Sequence, residues 1–220
     1  MSKKYNGQYA QIGLKYNVTY KHTDKDGNIK KMFAVNPLGR FILELARKFI
    51  TEPIDSVTGQ VKAGWKNHLA AYGFRNSIFG SWVDEMTISN LVVSAGKAGV
   101  ASRINGSGAE AVFASIGQGT GVAAAGAGDT TLGTEVTASG GAASGVHVVA
   151  AATATRVTTT VTNDTAQLVG TVSITGTIAI TESGVFNATT NGTMLCRQTF
   201  SAINVVNGDS LQFTWKIACA

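Results

Sequence analysis

Three groups of residues in this 220-residue chain have the types that chemistry requires. Gly117-Gln118-Gly119-Thr120-Gly121 is a glycine run of the kind whose backbone amides cradle phosphate. A phosphate loop also needs a Lys-Ser/Thr pair, an opening helix and a surrounding βαβ unit, and the sequence supplies none of them. His22, His68 and His147 are the candidate bases for a Ser/His/Asp triad. Each stands alone, and no Gly-x-Ser-x-Gly elbow is present. Separated histidines and two distant cysteines, Cys196 and Cys219, give no metal-ligand spacing. Beyond residue 86 the only glutamates are Glu110, Glu135 and Glu182, and a glycosidase needs two acids facing one cleft. Glu182 follows a β-run and precedes Gly184; we read it as a carboxylate bound to local backbone or paired with Arg197. The expectation is therefore a non-enzymatic protein, with no catalytic, cofactor-binding or metal-ligating residues and no cofactor.

The elements that would position these groups are mostly strands. Residues 8–35 read as a β-hairpin, with Tyr16, Val18 and Tyr20 alternating before a turn at Thr23–Asn28 and a return over Ile29–Val35. Asn36-Pro37 opens a helix reaching Ile50, with Phe41, Ile42, Leu45 and Phe49 at helical spacing. A shorter helix is expected around Trp65–Tyr72. From Met86 the texture changes. Strands are expected at Thr87–Val93, Ala111–Ile116, Val146–Ala151, Ala154–Thr162, Ala166–Ile174, Thr177–Thr181, Thr193–Phe200 and Ser210–Ile217. Gly96–Gly108 reads as a loop turning at Asn105-Gly106, and further turns fall at Asn163-Asp164, Asn191-Gly192 and Asn207-Gly208. Strands at this spacing predict a mainly β fold: an antiparallel β-sandwich, jelly-roll or Ig-like, with an N-terminal hairpin and one or two helices. Val161, Leu168, Val172, Ile174, Ile178 and Ile180 are its expected interior, and Phe213 and Trp215, in phase on one strand, read as core.

Composition divides the chain. Hydrophobic residues make up 44%, enough for a core, whereas charged residues make up only 14%, well below the usual quarter. Residues 1–85 hold thirteen Lys and Arg against seven Asp and Glu, and residues 86–220 hold five against six. The basic character thus belongs to the first part. Its lysines are scattered, which favours a solvated hairpin over a nucleic-acid patch, so direct nucleic-acid binding is not expected. Residues 1–85 read as a hairpin-plus-helix docking region and residues 86–220 as the sandwich domain. Met1-Ser2-Lys3-Lys4 leads into polar residues, so no secretory signal, two free thiols and no membrane partner are expected.

One ordered set of motifs remains: Ile116-Gly-x-Gly119, Leu132-x-x-Glu135, Ile180-Thr-Glu182-x-Gly-Val-Phe186-Asn187, Gly192-Thr-Met-Leu195 and Leu211-x-Phe-x-Trp215. Over residues 112–217 this order resembles the tail-collar fibre domain of tailed bacteriophages and related small phage structural proteins. The resemblance implies a structural role in a virion, assembled in the host cytoplasm, with copies of itself and other virion proteins as partners. The tail, neck or collar, or fibre base is the implied position; capsid decoration and host-glycan binding are the alternatives. Trp65, Tyr72, Phe74, Trp82, Gly117, Gly119 and Gly121 are the candidate assembly interface. Gly117–Gly128 and Ser139–Gly145 are expected to be ordered by neighbouring copies.

Overall fold

A computed structural model describes residues 14–38, 80–89, 91–108, 110–149 and 151–219. Its most regular strand shows what organises it. In β11 (Ser210–Cys219), Leu211, Phe213, Trp215 and Ile217 are buried while Gln212, Thr214 and Lys216 face outward, the period-two pattern of a half-buried strand. Fully burying side chains of this size stabilises by about 1.5–3 kcal/mol each, so β11 takes long partners on both edges. β1 (Leu14–Thr23) lines one edge over ten residue pairs and β8 (Thr165–Ser173) the other over nine. With β4 (Glu85–Ser89) outside β1 and β7 (Thr153–Val157) outside β8, they form a five-stranded sheet, β4-β1-β11-β8-β7. The facing sheet has the order β5-β10-β9-β6, built from β5 (Leu91–Val92), β6 (Ser115–Gly119), β9 (Ile178–Phe186) and β10 (Met194–Val205). All these pairings are antiparallel, and the fold is a β-sandwich with a continuous core from Val18 and Tyr20 to Ile203 and Trp215.

The hairpin starts as expected and then parts. Asp24 accepts the backbone N–H groups of Asp26 and Asn28, Gly27 takes φ +85°, and Lys30 donates to the His22 carbonyl at 2.9 Å. Because β11 and β4 occupy both edges of β1, the returning β2 (Met32–Val35) pairs with β3 (Gly80–Val83) instead. The first strand of the N-terminal region is therefore an internal strand of the sandwich. Pro37 and Leu38 begin a helical segment; the rest of that expected helix and the helix around Trp65–Tyr72 lie outside the described residues.

Two further differences have local causes. Gly96–Gly108 is largely helix, α1 (Ser94–Asn105), and the expected turn at Asn105-Gly106 is its C-terminus, with Gly106 at φ +67°. Gly96 and Gly99 are its buried residues: a side chain at Gly96 would strike the Leu195 backbone, and one at Gly99 the Phe113 ring. Val161, an expected core residue, is 67% exposed. The Asp164 carboxylate accepts the N–H groups of Thr159, Thr160 and Val161, which turns the chain where alternation predicted strand. The other five expected interior residues, with Phe213 and Trp215, are buried. Val146–Ala151 is held by isolated bridges, Val146 to Thr190 and Val149 to Ile116.

Candidate functional site

The residues with chemical potential converge on a layer covering the four-stranded sheet. In β6, Ile116 enters the main core, whereas a Cβ on Gly117 would meet Leu132 and Phe186, members of a second apolar cluster with Val93 and Met194. Alternate residues of one strand thus serve two interiors. All five residues of β6 are buried.

Glu182 is fully buried in this second layer. Its Oε1 accepts the backbone N–H groups of Gly121 at 2.9 Å and Thr134 at 2.7 Å. Its Oε2 accepts Gly133 N–H at 2.9 Å and both Nε and Nη2 of Arg197 at 2.8 Å. Arg197 continues the chain of bonds, donating from Nη1 to Asp129 Oδ2 at 2.7 Å and from Nη2 to the Ala123 carbonyl at 3.1 Å. Asp129 in turn accepts Gly126 N–H, and Thr181 Oγ1 donates to the Gly121 carbonyl. Burial opposes the charge on Arg197, but its bonds to Asp129 and Glu182 prevail and raise its pKa. Burial likewise disfavours ionised Asp129, and Gly126 N–H with Arg197 outweighs it and lowers that carboxyl's pKa. Buried charges carry large desolvation costs unless paired and hydrogen-bonded, and here each is. The expected pairing of Glu182 with Arg197 is present, whereas the backbone it binds is not local but 48 to 61 residues distant.

A second carboxylate lies beside it. Glu135 Oε1 meets His147 Nδ1 at 2.7 Å and its Oε2 accepts Gly145 N–H at 3.0 Å. His147 Nε2 lies 2.7 Å from the Asn191 carbonyl, and its ring stacks on Phe186 with centroids 3.7 Å apart. A carbonyl only accepts, so Nε2 carries a proton, and the Nδ1–carboxylate contact shares a second. Burial pulls the His147 pKa down, but the bonds to Glu135 and Asn191 prevail and raise it. With both nitrogens engaged, His147 is a fastener, not a free base. A third pair, His22 Nε2 with Asp209 Oδ2 at 2.8 Å, is joined by Lys30 Nζ at 2.9 Å. Here burial dominates and lowers the His22 pKa. Neither histidine's partner was legible in the sequence, where both stand isolated; His22 and Asp209 are 187 positions apart.

Of the expected interface residues, Gly117, Gly119 and Gly121 are buried inside the chain. A Cβ at Gly117 would meet Glu135 Oε1, and one at Gly119 or Gly121 would meet Glu182 Oε1. Their role here is close approach of backbone to carboxylate. Trp82, on β3, is 45% exposed; Trp65, Tyr72 and Phe74 lie outside the described residues. The loops expected to be ordered by neighbours are held by the chain itself, Gly121–Asp129 through Glu182 and Arg197, and Ser139–Gly145 through Ala143 N–H on the Glu135 carbonyl and Gly145 N–H on its carboxylate. Gly119→Ala should therefore lower the stability of the single chain by about 1–3 kcal/mol in urea unfolding. Unchanged stability with impaired self-association would instead assign Gly119 to an interface. Among the described residues no three His, Cys, Asp or Glu side chains gather as a metal-binding group, and no helix is long and apolar enough to cross a membrane. Comparison of the chain with protein-family models, curated proteins and solved structures finds no match.

Proposed function

We propose that this chain is a non-enzymatic structural component of a tailed-phage virion, assembling as symmetric copies at the tail, the neck or collar, or the fibre base. One observation carries the reading. Four of the five ordered motifs that resemble the phage collar domain meet in the layer around Glu182 and Glu135, where their carboxylates are spent on backbone amides, Arg197 and His147. An acid engaged by backbone amides and a buried guanidinium stiffens a scaffold and is poorly placed to exchange protons with a substrate. The glycines of those motifs are spacers that let the loop layer close onto the sheet. Such a scaffold suits a part made in many copies, in which modest contacts are multiplied by symmetry.

Capsid decoration is the second position compatible with the same scaffold, and one experiment separates the two. Antibody raised against the purified chain, applied with gold label to tailed-phage particles carrying its gene, is expected to mark the tail or neck. Label over the head shell would move the protein to decoration. Particles without label, but with the chain in the soluble lysate, would sink the virion assignment.

A further inference from the structure

We infer that β7, the outer strand of the five-stranded sheet, is a self-pairing edge through which two copies of the chain join their sheets about a two-fold axis. This rests on the reading of the chain as self-assembling and names the surface used. β7 pairs with β8 over Thr153–Val157 in unbroken register, and no described residue pairs with its other side. Four of its five residues are exposed and the fifth is half-buried. An edge of this kind presents unpaired N–H and C=O groups, which proteins ordinarily guard with proline, several charged side chains, a bulge or very short length. From Ala151 to Asn163 there is no proline and no lysine, and Arg156 is the single charge. The other edges of the sandwich are guarded. β4 begins with Glu85 directly after Asp84, β5 is two residues long, and β6 is bridged by Val149 and Glu135.

The occupant that fits is a second copy. A two-fold axis perpendicular to the sheet at Thr155 sets Thr153 of one copy opposite Val157 of the other, and Thr155 opposite its counterpart. These are β-branched cross-strand pairs of the stabilising kind. They repeat the chemistry on the intrachain side of β7, where Thr153 faces Val169 and Val157 faces Thr165. Arg156 meets Ala154 and not another arginine. Space is also available: Ala154 lies opposite the core residue Leu168 yet is exposed, so the four-stranded sheet stops short beneath β7.

The test uses the full chain with Cys219→Ser, which removes the exposed native thiol. Thr155→Cys on the two-fold axis brings two thiols to a Cα separation of about 4.5–5.5 Å, within disulfide range. Mild oxidation is expected to convert most of that variant to a covalent dimer on a non-reducing gel, and to leave Thr87→Cys, central in β4, uncrosslinked. Thr155→Lys, which opposes two charges across the axis, should weaken self-association several-fold in sedimentation while leaving the melting temperature of the dilute, monomeric chain unchanged. An oligomer that crosslinks equally at Thr87→Cys, or not at all at Thr155→Cys, overturns the edge and leaves assembly standing. A chain that stays monomeric at every concentration overturns both. Crosslinking at Thr155 in a chain absent from virions keeps the edge and removes the virion reading.

Discussion

Glu182→Ala is expected to destabilise the protein by about 3–5 kcal/mol, the cost of breaking a buried ion pair from one side. The substitution takes the acceptor from three backbone donors, on buried Gly121 and on the more exposed Gly133 and Thr134, and removes one carboxylate from Arg197. Arg197→Met should cost less. Glu182 then keeps its three amide donors, while Asp129 keeps Gly126 N–H and some exposure. The two residues share one network, so the double variant should lose less than the sum of the singles. Urea unfolding gives these differences. Amide hydrogen exchange at Gly121, Gly133 and Thr134 reports whether the loop layer lifts, and in Glu182→Ala it should accelerate before global unfolding. A loss below about 1 kcal/mol, or a larger loss for Arg197→Met, would show that the layer is held by something other than this carboxylate.

The second large effect is a stability optimum near neutrality set by two histidines with opposite shifts. His147 has a folded-state pKa raised above its unfolded value, so the folded protein binds its proton more tightly. That contribution is fully present below about pH 6.5 and is lost as pH rises through the folded pKa. His22 is shifted the other way by burial, so the unfolded chain takes up its proton first, and stability falls as pH drops below about 6.5. On the alkaline side the window must stop at about pH 8, because the Cys196 thiol, pushed up by burial, adds its own loss once unfolded thiols ionise. Within it, His147→Gln should flatten the alkaline limb and His22→Gln the acid limb, each by on the order of 1 kcal/mol. Unfolding measured across this range decides it: an alkaline limb that persists in His147→Gln would mean the Glu135–His147 proton does not couple to folding.

These two networks are also the least legible in the sequence, and the reason is physical. A carboxylate in a β-run beside glycine announces that its oxygens need donors, and Arg197 on a neighbouring strand is a natural candidate. Which amides donate depends on how a loop of glycine and alanine folds back across the sheet, and that loop carries no periodic signal. For His147 the sequence offers even less. Its value as a fastener comes from Glu135, Asn191 and Phe186 arriving together, and the last two belong to the β9–β10 corner. Helix α1 leaves no signal in the sequence for a related reason: its buried face is Gly96 and Gly99, so it shows no apolar stripe and is recognised only by the Leu195 backbone and Phe113 ring it approaches.

The sequence by itself determined the sandwich. Period-two alternation along β8 and β11, and turns at Asn163, Asn191-Gly192 and Gly208, are local properties that hold wherever the strands end up. Tertiary structure alone decided who pairs with whom. Burying Trp215, Phe213 and Tyr20 together drew β1 from the far end of the chain onto β11, and this left β2 to find β3. The same closure delivered Asp209 to His22 and the glycine loop to Glu182, because a buried charge is tolerated only where the whole fold brings its partners.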